Sequence, residues 1–336
     1  MKEGQSPEVA VIGCGGTMSS LGTSPLDLMD YPEYGMKLSI SEILARVPEA
    51  ASVAKTIAVP FRSAGSTNLV PADWFELRAT LRLLSREHSS LKGFVIVHGT
   101  ATLEETAFFL NLTLDIPQTV VLVGAQRPMS AVSSDAPMNL VGALKVAKAT
   151  QSRRRGVLVV LNDEIHASRD VVKTSTLRLD TFRSVDFGAL GVIDPDGVHF
   201  YRRVDRPRTS CNDFGGMPDD QELPRVDIVY SYAGADDTFI KAAIVKGARG
   251  IVSAGFAPGI PTGVERAALE AAVQSGITVV QCSRAPSGRV AGRRYLLDNG
   301  FIAGEDFSPQ KARILLALGL AHTDRLAKLR AWFQEY

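Results

Sequence analysis

Three short stretches put glycines and hydroxyl side chains where the chain turns out of an apolar run: Gly13-Cys14-Gly15-Gly16-Thr17, Gly65-Ser66-Thr67-Asn68 and His98-Gly99-Thr100-Ala101-Thr102. Glycine lets a backbone turn tightly and come close to a ligand. Backbone N–H groups at the start of a following helix can hold an anion or a developing oxyanion, with threonine hydroxyls beside them. The chemistry such turns can do is carbonyl or anion chemistry. Alone, Thr100 or Thr102 is most simply a helix N-cap, with Glu104 and Glu105 well placed in the first turn. Recurrence of the same design at three strand ends points to a shared site.

The elements that must position these turns follow from hydrophobic patterning. Apolar, β-branched runs over 8–12, 54–60, 94–97, 119–124 and 157–161 predict strands, and helices are predicted from Ser39, over 71–88, over 104–110 and over 135–150. Strands alternating with helices imply a doubly wound, mostly parallel sheet, which would carry the turns at its carboxyl edge. Residues 21–37 hold Gly22, Pro25, Pro32 and Gly35 among Asp27, Asp30, Tyr31 and Tyr34 without either period. They read as a long irregular loop, either a lid or a surface excursion whose tyrosines pack down. Residues 162–174 form an unusual polar stretch after the fifth strand.

From 206 to about 225 the composition turns to Pro, Asp, Gly and Gln, as in an interdomain linker. The expected organisation is therefore an N-terminal catalytic α/β domain over 1–205, a linker over 206–225, and a smaller C-terminal α/β domain over 226–336. Strands over 227–230, 250–254 and 278–282 and helices over 236–246, 263–274, 309–318 and 323–333 build the latter.

Composition narrows the class. The 336 residues are 45% hydrophobic, enough for a proper core, and 37 Lys+Arg against 36 Asp+Glu leave a net charge of +1, which gives no reason to expect nucleic acid as a partner. The first apolar run, Val9 to Ile12, is strand-sized, so neither a signal peptide nor a membrane span is expected and the cytoplasm is the expected location. Cys14, Cys211 and Cys282 lack metal or disulfide spacing. A dinucleotide reading of Gly13 to Gly16 lacks the last glycine and the following helix, so no cofactor is called for. His98 and His166 form no metal set with carboxylates or cysteines and read as braces for neighbouring loops. Asp163, Glu164, Arg169 and Asp170 read as a salt-bridged cluster, and Trp74 and Trp332 as helix-packing residues.

Taken in order, Gly15-Gly16-Thr17, Gly65-Ser66-Thr67, the run His98 to Thr106, Gly124-Ala125-Gln126-Arg127-Pro128, the run Gly156 to Asp163, and the run Arg169 to Thr174 resemble the bacterial-type L-asparaginase/glutaminase family. Gly250 to Gly255 and Ser308 to Arg313 extend the resemblance over almost the whole chain. It implies a two-domain asparaginase-like fold and a threonine amidohydrolase that needs no metal or cofactor. It also implies a homo-oligomer, a dimer or a tetramer, in which a neighbouring subunit's C-terminal domain closes the pocket. Carried over residue by residue, the nucleophile falls on Thr17, the lid tyrosine on Tyr34, the second threonine on Thr100 and its lysine on Lys173. Substrate binding falls on Gly65, Ser66, Thr67 and Gly99, with Ser66 on the substrate carboxylate. Threonine is a poor nucleophile at neutral pH, and a desolvated lysine bonded to a hydroxyl is a workable base, so the implied set is chemically coherent.

The departures concern one substrate group. The family's aspartate after the second threonine is Ala101 here, an asparagine aligns near Ile260, and a glutamate aligns near Arg293. All three family residues hold the α-ammonium of an amino acid. The expected substrate is therefore a small carboxamide without a free α-ammonium: an N-substituted or cyclic amide, an imide or lactam, or a dicarboxylic monoamide, with Arg293 suited to an extra anionic group. A genuine L-asparaginase with a divergent amino-group site, and a non-catalytic ligand-binding homologue, are the alternatives.

Overall fold

Runs such as Gly93–Val97 and Thr119–Val123 are wholly buried and rich in β-branched residues, as strands covered on both faces must be. In a computed structural model, which describes residues 6–63, 65–204 and 213–336, the chain divides into two units, Met1–Asp220 and Gln221–Tyr336. The first is built on an eight-stranded sheet. Its order is Gly197–Phe200, Gly191–Asp194, Glu164–Ala167, Val157–Leu161, Thr119–Val123, Gly93–Val97, Val9–Gly13 and Thr56–Pro60. The last five in that order are parallel, and the first three are antiparallel additions.

Register is what prepares the site. Gly13 lies opposite both Pro60 and Val97, and Val97 lies opposite Val123, so the chain leaves four neighbouring strands at one level. The turns beginning at Cys14, Phe61, His98 and Gly124 therefore share one carboxyl edge. After Val9–Gly13 the chain pairs its second strand on one side and its third on the other. Strand order reverses there, at the carboxyl edge from which the Thr17 and Thr100 turns leave, which is the place where open α/β sheets bind ligands.

One sheet face buries Val9, Val11, Val95, Val97, Val121 and Val123 against helices Ile40–Arg46 and Ala136–Lys148. Each such side chain contributes about 1.5–3 kcal/mol. Helix Leu103–Thr113 packs on Val157–Leu161, where Asn111 Oδ1 accepts the Val157 N–H at 3.0 Å, and its Phe109 meets Trp74 and Phe75 of Pro71–Glu87. The antiparallel additions answer the polar stretch after the fifth strand. Asn162 and Asp163, both at positive φ, make the two-residue turn that folds Glu164–Ala167 back on Val157–Leu161. Arg78, fully buried, donates to Asp219 and to the carbonyls of Met217 and Pro218, which seats the segment after residue 213 on the first unit. Cys211 and residues 206–212 of the expected linker lie outside the described residues.

The second unit is a parallel sheet of Val226–Tyr230, Gly250–Gly255, Thr278–Ser283 and Ile302–Ala303 in chain order, with helices Thr238–Val245, Gly263–Gln274, Pro309–His322 and Leu326–Glu335. Trp332 is buried there beside His322. Cys14 and Cys282 are free and buried, and burial pushes both thiols far up, which removes them from reactive chemistry. No helix among the described residues is long and apolar enough to cross a membrane.

Asp135 ties the fold to the site edge. It accepts the Gln126 and Arg127 N–H groups at 2.9 Å each and the Asn139 side-chain amide at 3.0 Å. Asn139 in turn donates to the Gly124 carbonyl and accepts the Asn162 N–H. Asp135→Ala leaves two buried or part-buried N–H groups without their acceptor, and we expect it to cost about 3 kcal/mol in urea unfolding, with an unchanged m-value.

Candidate active site

Three turns touch at Gly16, Gly99 and Ser66. Gly16 sits at φ +93 against Gly99, so closely that a Cβ on Gly16 would lie 2.3 Å from the Gly99 Cα, and a Cβ on Gly99 would lie 2.7 Å from Ser66 Oγ. No other residue type permits either approach. The contact is reinforced by Thr102, whose hydroxyl donates to the Ser66 carbonyl at 2.9 Å, and by Ser20, whose hydroxyl donates to the Gly16 carbonyl at 2.9 Å. Thr102 is thus spent on the neighbouring turn and makes no side-chain cap on its own helix. Ser66 is buried, Gly65 half-buried and Thr67 exposed.

His98 holds the middle turn from beneath. It is fully buried, with Nδ1 2.8 Å from the Gly99 carbonyl and Nε2 3.0 Å from the Thr106 hydroxyl. A carbonyl can only accept, so Nδ1 carries the proton and Nε2 accepts from Thr106. Burial holds its pKa down to about 4, so the ring stays neutral and acts as a brace. His166, also buried, bonds Ser184 through Nδ1 and lies 3.2 Å from Glu164. Arg169 pairs with Asp170 at 3.6 Å in the segment leading to Lys173.

Lys173 arrives from 73 residues downstream. It lies on the two-residue strand Val172–Lys173, paired with Phe182–Arg183, and its Nζ donates to Thr100 Oγ1 at 2.8 Å. Glu104, buried in the first turn of Leu103–Thr113, accepts the Lys173 main-chain N–H at 2.6 Å. Burial lowers the lysine's pKa, and the Glu104 charge opposes that shift. The result is an amine easier to deprotonate than one in water, in bonding contact with a buried hydroxyl.

Thr17 is half-buried, and its hydroxyl lies 2.8 Å from the hydroxyl of Tyr31. The resemblance places the lid tyrosine on Tyr34, whereas the tyrosine beside Thr17 in this structure is Tyr31. Residues 21–37 are not irregular throughout. Ser20–Leu21 pairs with Met36–Lys37, closing the loop at its base, and a single helical turn, Tyr31–Tyr34, lies within it. That turn carries Tyr31 back to Thr17 and leaves the Tyr34 ring 76% exposed. Distance along the chain from Leu38 could not discriminate between the two tyrosines. The local signal was Pro32, at a helix start, which marks Tyr31 as the beginning of an ordered element. Burial raises the Tyr31 pKa, so it is a neutral phenol at neutral pH.

Gln126, unassigned from the sequence, also reaches Thr100: the threonine hydroxyl donates to Gln126 Oε1 at 3.2 Å. Ala101, beside Thr100, is exposed and presents only a methyl group. Arg293 belongs to the second unit, where its guanidinium lies over the Tyr295 ring at 5.4 Å and donates weakly to the Gly259 carbonyl at 3.4 Å. Ile260, beside Gly259, is half-buried. Among the described residues, the one group of donors close enough to share a metal ion is Asp194, Asp196 and His199, on the exposed hairpin of the antiparallel strands, where Asp196 and His199 already pair at 3.0 Å. It contains none of the hydroxyls or the lysine described above.

Known proteins of one family match the chain along nearly its whole length. The family description "Asparaginase, N-terminal" matches residues 8–206, and "Glutaminase/Asparaginase C-terminal domain" matches 225–333. The chain is 36% identical over 330 residues to L-asparaginase 2 of Bacillus subtilis, covering 98% of this chain and 87% of that protein. It is 36% identical over 333 residues to L-asparaginase 2 of Escherichia coli, covering 98% and 93%. The crystal structure of "Probable Cytoplasmic L-asparaginase from Campylobacter jejuni" superposes with a TM-score of 0.92 at 36% identity, covering 99% of this chain and 100% of that one.

The two tyrosines give a direct check of the geometry. We expect Tyr31→Phe to lower amide-hydrolysing kcat/KM roughly 10²-fold, while Tyr34→Phe stays within about twofold of the parent in the same steady-state assay.

Proposed function

The chain belongs to the asparaginase family of amidohydrolases, which cleave carbon–nitrogen bonds other than peptide bonds, and from that premise we propose that it hydrolyses a small carboxamide through a covalent ester on Thr17. Thr17 Oγ1 attacks the amide carbonyl, its proton passing through the Tyr31 hydroxyl, a relay because burial keeps that phenol neutral. The C–N bond breaks, the nitrogen takes up a proton and leaves as ammonia or an amine, and Thr17 is left acylated. Water then adds to the ester while the Thr100–Lys173 pair accepts its proton. The ester C–O bond breaks, Thr17 recovers its proton, and a carboxylic acid departs. The observation that carries this reading is the 2.8 Å contact of a desolvated lysine with a buried threonine hydroxyl, on the turn whose glycine touches the turn bearing Thr17. The pocket is completed, on this reading, by a second copy of the chain in a homo-oligomer, with Arg293 on the residue set a neighbour would bring.

Two outcomes follow for the catalytic groups. Thr17→Ala abolishes the acyl-enzyme mass shift, while Thr100→Ala permits it and blocks its hydrolysis; the reverse pattern exchanges the two roles. The rate rises with pH as Lys173 loses its proton. Because burial lowers that pKa, the rise comes at lower pH than for an ordinary lysine, and a profile that rises no earlier than a solvent-exposed lysine titrates would count against Lys173 as the base.

The substrate class rests on Ala101. Removing one charged partner from an ammonium site costs about 3 kcal/mol, close to two powers of ten in kcat/KM. We expect N-acyl-asparagine, succinamic acid or a cyclic imide to exceed L-asparagine and L-glutamine by about that factor in parallel ammonia-release assays. The second reading is an L-asparaginase with a divergent amino-group site, favoured by the names of the Bacillus and Escherichia relatives. Efficient turnover of asparagine at micromolar concentration would establish it.

A further inference from the structure

The hydrogen bonds around Thr100 run in one direction. Lys173 Nζ donates to Thr100 Oγ1 at 2.8 Å, Thr100 donates to Gln126 Oε1 at 3.2 Å, and Gln126 Nε2 donates to the Arg178 carbonyl at 3.1 Å. The last acceptor decides the rest. A backbone carbonyl cannot donate, so the carboxamide must turn its NH₂ toward Arg178 and its oxygen toward Thr100. That oxygen also only accepts. The Thr100 proton therefore points at Gln126, and the threonine oxygen is left to receive an N–H from Lys173. Gln126 is itself buried, and its main-chain N–H is clamped by the Asp135 carboxylate at 2.9 Å.

We propose that Gln126 is a positioning residue for amide hydrolysis: by holding the Thr100 hydroxyl proton it keeps Lys173 in the donor role in the free enzyme, so that the pair accepts a proton only after this hydroxyl swings off the glutamine. The proposal deepens the reading that Thr100 and Lys173 handle the proton of hydrolysis, and rests on it. Sequence patterning could not have exposed it, since an Ala125-Gln126-Arg127 turn shows nothing of which side chain 26 residues upstream receives the amide oxygen.

Among the described residues the charge that bears on Lys173 is Glu104, with Glu105 beside it in the same turn of Leu103–Thr113. Arg183, on the partner strand, lies opposite Val172 rather than Lys173, exposed and paired with Asp180. Arg169 and Asp170 precede Lys173 on its own segment and pair with each other. Burial favours loss of the lysine proton and Glu104 favours its retention. Gln126 adds a third influence, because a threonine whose proton is engaged elsewhere offers its lone pairs to an ammonium. Gln126→Leu frees that proton to bond a neutral amine, which weakens proton binding at Lys173. Gln126→Glu sets a negative charge at the same place and strengthens it.

The experiment follows the Lys173 amine itself, in the intact ligand-free chain, by NMR of ¹⁵N- and ¹³C-labelled lysine, with Lys173→Met identifying the signal. The pH dependence of kcat/KM on the best amide is measured alongside. The Lys173 midpoint should fall by about one pH unit in Gln126→Leu, a tenfold change in the protonation equilibrium, and rise by a similar amount in Gln126→Glu, with the rate profiles following. Opposite displacements are not something a merely structural residue produces. Midpoints that move by less than roughly one-fifth of the expected change, or that move the same way in both variants, overturn the proposal. Gln126→Glu, close to the parent in shape, decides the matter alone if Gln126→Leu does not fold. Midpoints that separate while the rate profiles stay fixed uphold Gln126's hold on Lys173 and sink the catalytic role of that lysine instead.

Discussion

The approach of two backbones, Gly16 against Gly99, is the constraint on which the rest of the site depends. A Cβ on Gly16 would stand 2.3 Å from the neighbouring Cα, so the two turns meet only because neither carries a side chain at that point. In-register parallel pairing brings them to one level, at the point where strand order reverses. Thr17 and Thr100 follow their glycines directly, so their separation is set by main-chain packing rather than by flexible side chains. A neutral His98 on the Gly99 carbonyl and Thr102 on the Ser66 carbonyl lock the turns from two sides. Sites built this way hold their geometry before substrate arrives, which is what catalysis by positioning requires.

On that scaffold two opposing influences act on one amine. Lys173 is drawn out of water, which disfavours its charge, while Glu104 grips its main-chain N–H and its electrostatic influence favours the charge. Neither influence alone makes a useful base: full desolvation would leave a weak one, and full compensation would leave an ammonium that never yields its proton at neutral pH. The first turn of Leu103–Thr113 thus serves the helix and the site together, with its acidic residues where the helix dipole favours them and one of them on the lysine strand.

Adjacent residues of the same segment differ sharply in their surroundings. Thr100 is buried and triply engaged by the fold, by Lys173 and by Gln126, whereas Ala101 next to it is exposed and uncharged. An exposed position can be replaced without disturbing a buried hydroxyl and its lysine partner.

Local patterning was sufficient for the parallel sheet, for helices such as Gly263–Gln274, and for the three hydroxyl-bearing turns, because each depends on a few consecutive residues: an apolar run, a capping residue, a glycine. Asn162-Asp163 was a two-residue hairpin signal too, but it sat inside a polar stretch and the short strands beyond it were too brief to show a period. What stayed out of reach was every choice made between distant segments. That Tyr31 rather than Tyr34 meets Thr17 depends on how Ser20–Leu21 closes against Met36–Lys37, and that Gln126 takes the Thr100 proton depends on a carbonyl 52 residues further on. The amino-acid sequence by itself determined which residues could do the chemistry, through their types and their places at strand ends. Tertiary structure alone decided which of them touch, because a hydrogen bond reaches about 3 Å and no spacing along a folded chain encodes so short a distance between remote residues.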